Sequence, residues 1–168
     1  MIKTLEDFTE ASKLYLEKIN TFADKHSISE NVKADHVGYK CASTESFENL
    51  KSIFEINSDY IFQSIISSRR IAYIKIKQGL ETKLGIINFI ELQDQKPDGS
   101  QIEKFDHVEC FTINGTYDEM VKKIAESDTI TKSSNQHHPT HDTDLGGGFS
   151  FKLTQGALLT KIKDTEMV

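Results

Sequence analysis

The tripeptide Asp-His-Val occurs twice in this chain, at residues 35–37 and 106–108, and each copy is soon followed by a cysteine, Cys41 or Cys110. What comes after each copy is also alike. "DHVGYKC" leads into a helical stretch, "STESFENLKSIFEI", which Ser43 or Thr44 can cap and which turns Phe47, Leu50, Ile53 and Phe54 inward. Three β-rich runs follow: "YIFQSII" (60–66), "IAYIKI" (71–76) and "LGIINFIEL" (84–92). The second copy starts "FDHVECFTI" (105–113) and leads into "TYDEMVKKIAES" (116–127), a helix with Met120, Val121 and Ile124 inward. "TITKSS", "THDTDL" and "GFSFKLT" are the strands expected next, with a tight turn at the triglycine 146–148. The polar link "QDQKPDGSQIEK", with Pro97 and Gly99, separates the two halves.

A βαβββ unit of this size cannot bury its apolar face alone and has to pack against its twin. The expected fold is therefore α+β: module 1 (34–95) and module 2 (104–168) form one curved mixed sheet with a central cleft. A helical segment (1–33) precedes them, and the whole chain reads as a single domain of 168 residues. Its helix is expected over 4–26, capped by Thr4, with Glu6 and Asp7 in the first turn. Leu5, Phe8, Tyr15, Ile19 and Phe22 make its apolar stripe. "LLTKIKDTEMV" is expected to close the chain as a short helix.

A formal net charge of −6, with no block of Lys or Arg, leaves no basic face for nucleic acid. No apolar run approaches the ~18 residues that span a bilayer. The opening "MIKTLEDFTEASK" has no apolar core of a secretion signal, and two cysteines make no disulfide framework. The expectation is a cytoplasmic protein, monomer or homodimer, that meets a small-molecule ligand or substrate and neither nucleic acid nor membrane.

Alternate residues of a strand share a face. His36, Gly38 and Lys40 form one such set, and His107 and Glu109 another, so Cys41 and Cys110 should point away as buried thiols. Glu91, inside "NFIELQ", is costly to bury unless a cation meets it. Laying "FIEL" on "SFKL" makes Lys152 its counterpart in the second half. If the halves are related by a pseudo-twofold axis, His36, His107 and Glu91 converge on one point. Two imidazoles and one carboxylate hold a divalent transition metal (Fe, Ni, Mn, Co or Zn) and leave positions open. Lysine, protonated near neutral pH, is a poor fourth ligand.

"ADHVGYKCAS", "SRRIAYIKI", "LETKLGIINFIELQDQKP", "KFDHVECFT" and "HHPTHDTDLGGGFSFKL" together resemble the YecM-like family of the vicinal oxygen chelate superfamily. That superfamily includes glyoxalase I, extradiol dioxygenases and bleomycin-resistance proteins. The resemblance covers most of the chain after residue 33 and implies a suspected metal site with no settled reaction. It places His36, Glu91 and His107 on three of the four metal positions of a glyoxalase-type site, with Lys152 on the fourth. The fourth is a carboxylate in glyoxalase I, so the departure counts against lactoylglutathione lyase activity.

Two readings of function follow. One is a metal-dependent isomerase, lyase or dioxygenase acting on a small oxygen-chelating metabolite, with Glu109 as acid or base, or as the partner that orients His107. The other is a non-catalytic small-molecule binding protein of bleomycin-resistance type, in which Lys152 pairs with Glu91 in place of metal. Substrate contacts are expected from Arg69, Lys152, His138 and His141. Arg69-Arg70 suit an anionic group held bidentately, and the resemblance favours Arg69. "QHHPTHDTD" gathers His137, His138 and His141 around Pro139, where the family resembled has an Asn-Pro-rich segment; it reads as a solvated hairpin loop. The triglycine lacks the spacing of a phosphate loop.

Overall fold

Each Asp-His-Val lies inside a strand, β1 (Val32–Lys40) or β5 (Lys104–Thr112), and the two strands pair antiparallel at the middle of one sheet. This computed structural model describes residues 2–134, 138–158 and 162. Val37 faces Val108 across the central pair and marks a pseudo-twofold axis. Outward from β1 lie β4 (Gly85–Gln93), parallel to it, then β3 (Arg69–Thr82) and β2 (Ser58–Ile66), each antiparallel to its neighbour. Outward from β5 the same pattern recurs with β8 (Ser150–Thr154), β7 (His141–Asp144) and β6 (Thr131–Lys132). The described order is β2-β3-β4-β1-β5-β8-β7-β6, so the fold is two βαβββ halves in one curved mixed sheet.

Helices α1 (Leu5–His26), α2 (Thr44–Ile56) and α3 (Tyr117–Ala125) begin where their caps dictate. Thr4 with Asp7, and Thr116 with Glu119, form capping boxes, and Ser43 accepts from the Ser46 amide. All three bury their apolar stripes in one core with the same face of the sheet, including Val37, Tyr39, Val108, Cys110 and Phe151. Phe8 of α1 is fully buried at the junction of the two halves, edge-on to Tyr39 and Phe54 at centroid distances of 5.6 and 4.9 Å. Truncating such a phenylalanine to alanine costs about 3–5 kcal/mol. No helix among the described residues is long and apolar enough to cross a membrane.

Two details depart from the strand spacing. β3 starts at Arg69, so Arg69 and Arg70 lie within the strand, and it continues to Thr82 through a register shift between Lys75 and Leu80. The closing helix falls mostly outside the described residues. Its described members Leu158 and Ile162 pack on Ile71 and Tyr73, on the face of the sheet opposite the three helices.

Candidate metal centre

That opposite face holds a cavity of about 480 Å³ lined by His36, Glu91, His107, Glu109 and His138 among others. A larger groove of about 650 Å³ runs between the start of α1 and α2, but none of its described lining residues is a histidine or cysteine. The titratable chemistry converges on the cleft.

The central pairing explains the convergence. His36 faces Glu109 across β1 and β5, and Gly38 faces His107. In the flanking parallel pairs Gly38 faces Glu91, and Glu109 faces Lys152. Lys152 thus stands where symmetry puts the counterpart of Glu91. The imidazoles of His36 and His107 meet edge to face, with centroids 5.6 Å apart. Gly38 makes this approach feasible, since a Cβ there would lie 2.4 Å from Cε1 of His107. Nε2 of His36 lies 3.6 Å from Oε2 of Glu91, and Nε2 of His107 lies 3.9 Å from Oε1 of the same carboxylate. One ligand atom from each of the three residues falls within 4.8 Å of the others.

Each histidine is oriented by the aspartate before it. Nδ1 of His36 is 3.3 Å from Oδ2 of Asp35, and Nδ1 of His107 is 3.0 Å from Oδ2 of Asp106. Neighbouring residues in a regular strand point to opposite faces, so this contact needs a local break. The registers of β1 and β5 slip between Ala34 and His36 and between Gly38 and Tyr39, which makes Asp35 and Asp106 the extra residues of two bulges. Asp35 also accepts from the Leu158 amide at 2.7 Å, and Asp106 from Lys40 Nζ at 2.5 Å. Both rings therefore present Nε2 to the cavity. Nε2 of His36 is buried with no hydrogen-bond partner among the described residues.

Charge follows the geometry. Burial alone would lower His36, but Glu109, Asp35 and Glu91 overcome it and push the imidazole up to about 10. Burial opposes ionisation of Glu91, yet His36 and His107 hold its carboxyl well below the usual range. Glu109 is likewise kept ionised against burial, by His36 and His138. Without metal, the centre packs the imidazolium of His36 against the carboxylates of Glu91 and Glu109.

The remaining candidates divide. His138 enters the cleft, its Nε2 2.8 Å from both oxygens of Glu109, so this part of the histidine-rich stretch is docked on a buried carboxylate and is not a solvated loop. His141 does not enter the cleft. It pairs in register with Leu153, turns to the helix side, and its Nδ1 lies 2.6 Å from the Tyr117 hydroxyl. His137 lies outside the described residues. Lys152 lines the cavity but bonds Asp142 Oδ2 at 3.1 Å, the cross-strand neighbour on β7, so the pairing with Glu91 expected for a metal-free cleft is not the one made. Arg69 lines the cavity as well. Cys41 and Cys110 are fully buried on the helix side, and burial raises both thiols.

The sequence reading misses four residues: Asp35, Asp106, Tyr73 and Gln93. Tyr73 faces Glu91 from β3, and Gln93 donates from Nε2 to Oε1 of Glu91 at 2.6 Å. The repeated aspartate in the motif is the one signal that could have pointed to the first two.

Comparison with known proteins fits this architecture. The profile of the YecM protein family matches residues 4–159. No curated protein matches the chain. Among solved structures, the chain is similar to a structural-genomics protein described as Protein EC4020, with a TM-score of 0.75 and 16% identity over 96% of this chain and 92% of that one. It is also similar to hypothetical protein BH1468 from Bacillus halodurans C-125, with a TM-score of 0.49 and 12% identity over 74% of this chain and 94% of that one. At 16% identity the first likeness is one of fold. The family match runs from the cap of α1 to beyond β8, and on that ground the chain belongs to the YecM family.

Proposed function

We propose that the cleft is a divalent-metal centre of the vicinal oxygen chelate kind, serving an isomerase, lyase or dioxygenase reaction on a small oxygen-chelating metabolite. The observation that carries the proposal is the buried Nε2 of His36, without a hydrogen-bond partner among the described residues, facing Glu91 at 3.6 Å beside an imidazole oriented in the same way. A buried polar atom without a partner is costly, and a cation that both imidazoles and the carboxylate can ligate satisfies all three. The carboxylate–histidine arrangement at both Nδ1 atoms is the support that ligating imidazoles ordinarily have.

His36 Nε2, His107 Nε2 and the Glu91 carboxylate would hold the ion. A bound divalent ion supplies Lewis acidity toward two substrate oxygens and stabilises negative charge developing on them. Asp35 and Asp106 keep the two Nδ1 protons in place, which leaves each Nε2 lone pair for ligation. Gln93 orients Glu91. Glu109, buried and ionised, can take a proton from a substrate carbon or oxygen, and His138, partly exposed, can pass it to solvent. Lys152, held by Asp142, supplies no base at the fourth position, which argues against lactoylglutathione lyase chemistry.

The test is metal binding by purified protein. Wild type should bind Ni²⁺ or Mn²⁺ at one site per chain, and His36→Ala, Glu91→Gln and His107→Ala should each weaken binding at least a hundredfold. Variants that hold the metal as tightly as the parent would sink the reading.

A further inference from the structure

The cleft contains a cation that the described residues around it fix in place and leave uncompensated. Among the described cavity-lining residues, Lys40 is matched by Asp106 and Lys152 by Asp142. Arg69 has no carboxylate partner among the described residues. Its Nη2 donates to Gln93 Oε1 at 2.8 Å, and its Nη1 bonds Gln101 Oε1.

Both amides are locked with their oxygens toward the guanidinium. The Gln93 amide nitrogen is committed to Glu91 at 2.6 Å. That of buried Gln101 faces three backbone carbonyls, of Cys41 at 2.7 Å, Asp94 at 2.9 Å and Gln93 at 3.4 Å. Two neutral acceptors thus position the fork without cancelling its charge. The next residue makes the contrast, because Arg70 takes the carboxylates of Asp94 and Glu48.

A guanidinium offers five N–H donors, and the two amide bonds use only part of them. Its Nε is buried and unpartnered among the described residues. Half-burying a cation without a counter-ion is costly, and an arriving anion would relieve that cost. Arg69 also stands one amide away from Glu91, beside Ile66, Ile71 and Leu158 in the cavity wall.

We propose that Arg69 anchors an oxyanion subsite, which takes the carboxylate or phosphate at the far end of a small molecule whose other end chelates the ion. The proposal rests on the metal-centre reading above. Gln93 joins the two ends, since one side chain orients both Arg69 and Glu91. The wall of Ile66, Ile71 and Leu158 accommodates a short apolar middle.

The experiment uses three probes that share a chelating 2-hydroxy acid head: 2-hydroxypentanoate, 2-hydroxyglutarate and 3-phosphoglycerate. Wild type and Arg69→Gln are first titrated with Ni²⁺ alone, and the nickel-loaded proteins then with each probe. Equal Ni²⁺ affinity is expected for the two proteins. Wild type should bind one of the charged probes about tenfold to a hundredfold more tightly than 2-hydroxypentanoate, the worth of a charge-assisted pair. Arg69→Gln should lose that advantage and bind 2-hydroxypentanoate unchanged. Preference for 2-hydroxyglutarate identifies a carboxylate, and preference for 3-phosphoglycerate a phosphate. Equal affinity of nickel-loaded wild type for all three probes, or an advantage that survives Arg69→Gln, overturns the subsite and leaves the metal centre standing. Wild type that binds no Ni²⁺ overturns both. A measurement on wild type needs no folded variant: the Arg69 side-chain ¹⁵N–¹H signals should shift with the preferred charged probe and not with 2-hydroxypentanoate, and immobile signals count against the subsite.

Discussion

Gly38→Ala is the change that most directly tests how the site is packed. The added methyl would lie 2.4 Å from Cε1, 2.6 Å from Nδ1 and 3.0 Å from Nε2 of His107. Carbon atoms rest about 3.5–4.0 Å apart, so the ring must retreat by roughly 1.1–1.6 Å. Metal–ligand distances tolerate about 0.2 Å, so a retreat of that size removes His107 as a ligand. The ring is also tied to Asp106 at 3.0 Å, and that contact would break or drag the bulge with it. The expected losses are at least tenfold to a hundredfold in Ni²⁺ affinity and about 1–3 kcal/mol in stability. Competition titration against a chelator reads the first, and urea denaturation of metal-free protein the second. A double-mutant cycle sharpens the test: in a His107→Ala background the ring is gone, so Gly38→Ala should cost almost nothing further. Full metal affinity in Gly38→Ala, or equal cost of the alanine in both backgrounds, would refute this account of the approach of β5 to β1.

Asp106→Asn should weaken metal binding tenfold to a hundredfold through lost orientation of His107, and Asp35→Asn should do the same through His36. Unchanged titrations would show that the rings are oriented by packing alone. Lys152→Met should bind Ni²⁺ as tightly as the parent or more tightly, because Lys152 is held by Asp142 and contributes only like charge near the ion. A large loss of affinity in this variant would give the lysine a place in the site that its pairing does not suggest. In metal-free protein, His36 titrates from 6.5 in the unfolded chain to about 10 in the folded one, so its contribution to stability is full below pH 6.5 and drains away between 6.5 and about 10. Urea midpoints of wild type, taken against His36→Gln across that window, should converge as pH rises; a constant gap would mean that His36 is not held charged.

Much of this fold is legible in the residues because both halves use the same signals. Thr4, Ser43 and Thr116 begin the helices in which the sequence places them. The alignment of Glu91 with Lys152 reappears as one relation in two registers, Gly38 with Glu91 and Glu109 with Lys152. What strand alternation hides is the partnership of each aspartate with its own histidine. One inserted residue reverses the parity of a strand, so Phe105 faces the core while His107, two residues on, faces the cleft. Tyr73 is hidden for another reason: its role comes from Glu91 across the sheet, and the contact of Gln93 with Arg69 at the start of β3 is likewise a pairing between distant residues that no local pattern encodes. His138 reaches Glu109 from irregular chain, where no periodicity applies. His141 fails as a site residue by one step of parity in β7.

The difference between Gly38 and Glu109 has a consequence for how such a protein can be divided. The two residues occupy matching places after Asp-His-Val, one vacant so that an imidazole can lie over it, the other filled by an acid. Suppose the halves were identical chains associating through the central strands. With glycine in both, each ring would have room, but the acid that His138 contacts would be missing. With glutamate in both, the acid at the place of Gly38 would run into the ring of His107. A self-associating half therefore cannot reproduce this cleft, whichever residue it chooses. The work is divided between unequal siblings, one yielding space and the other supplying charge, and only a chain that carries both can do it.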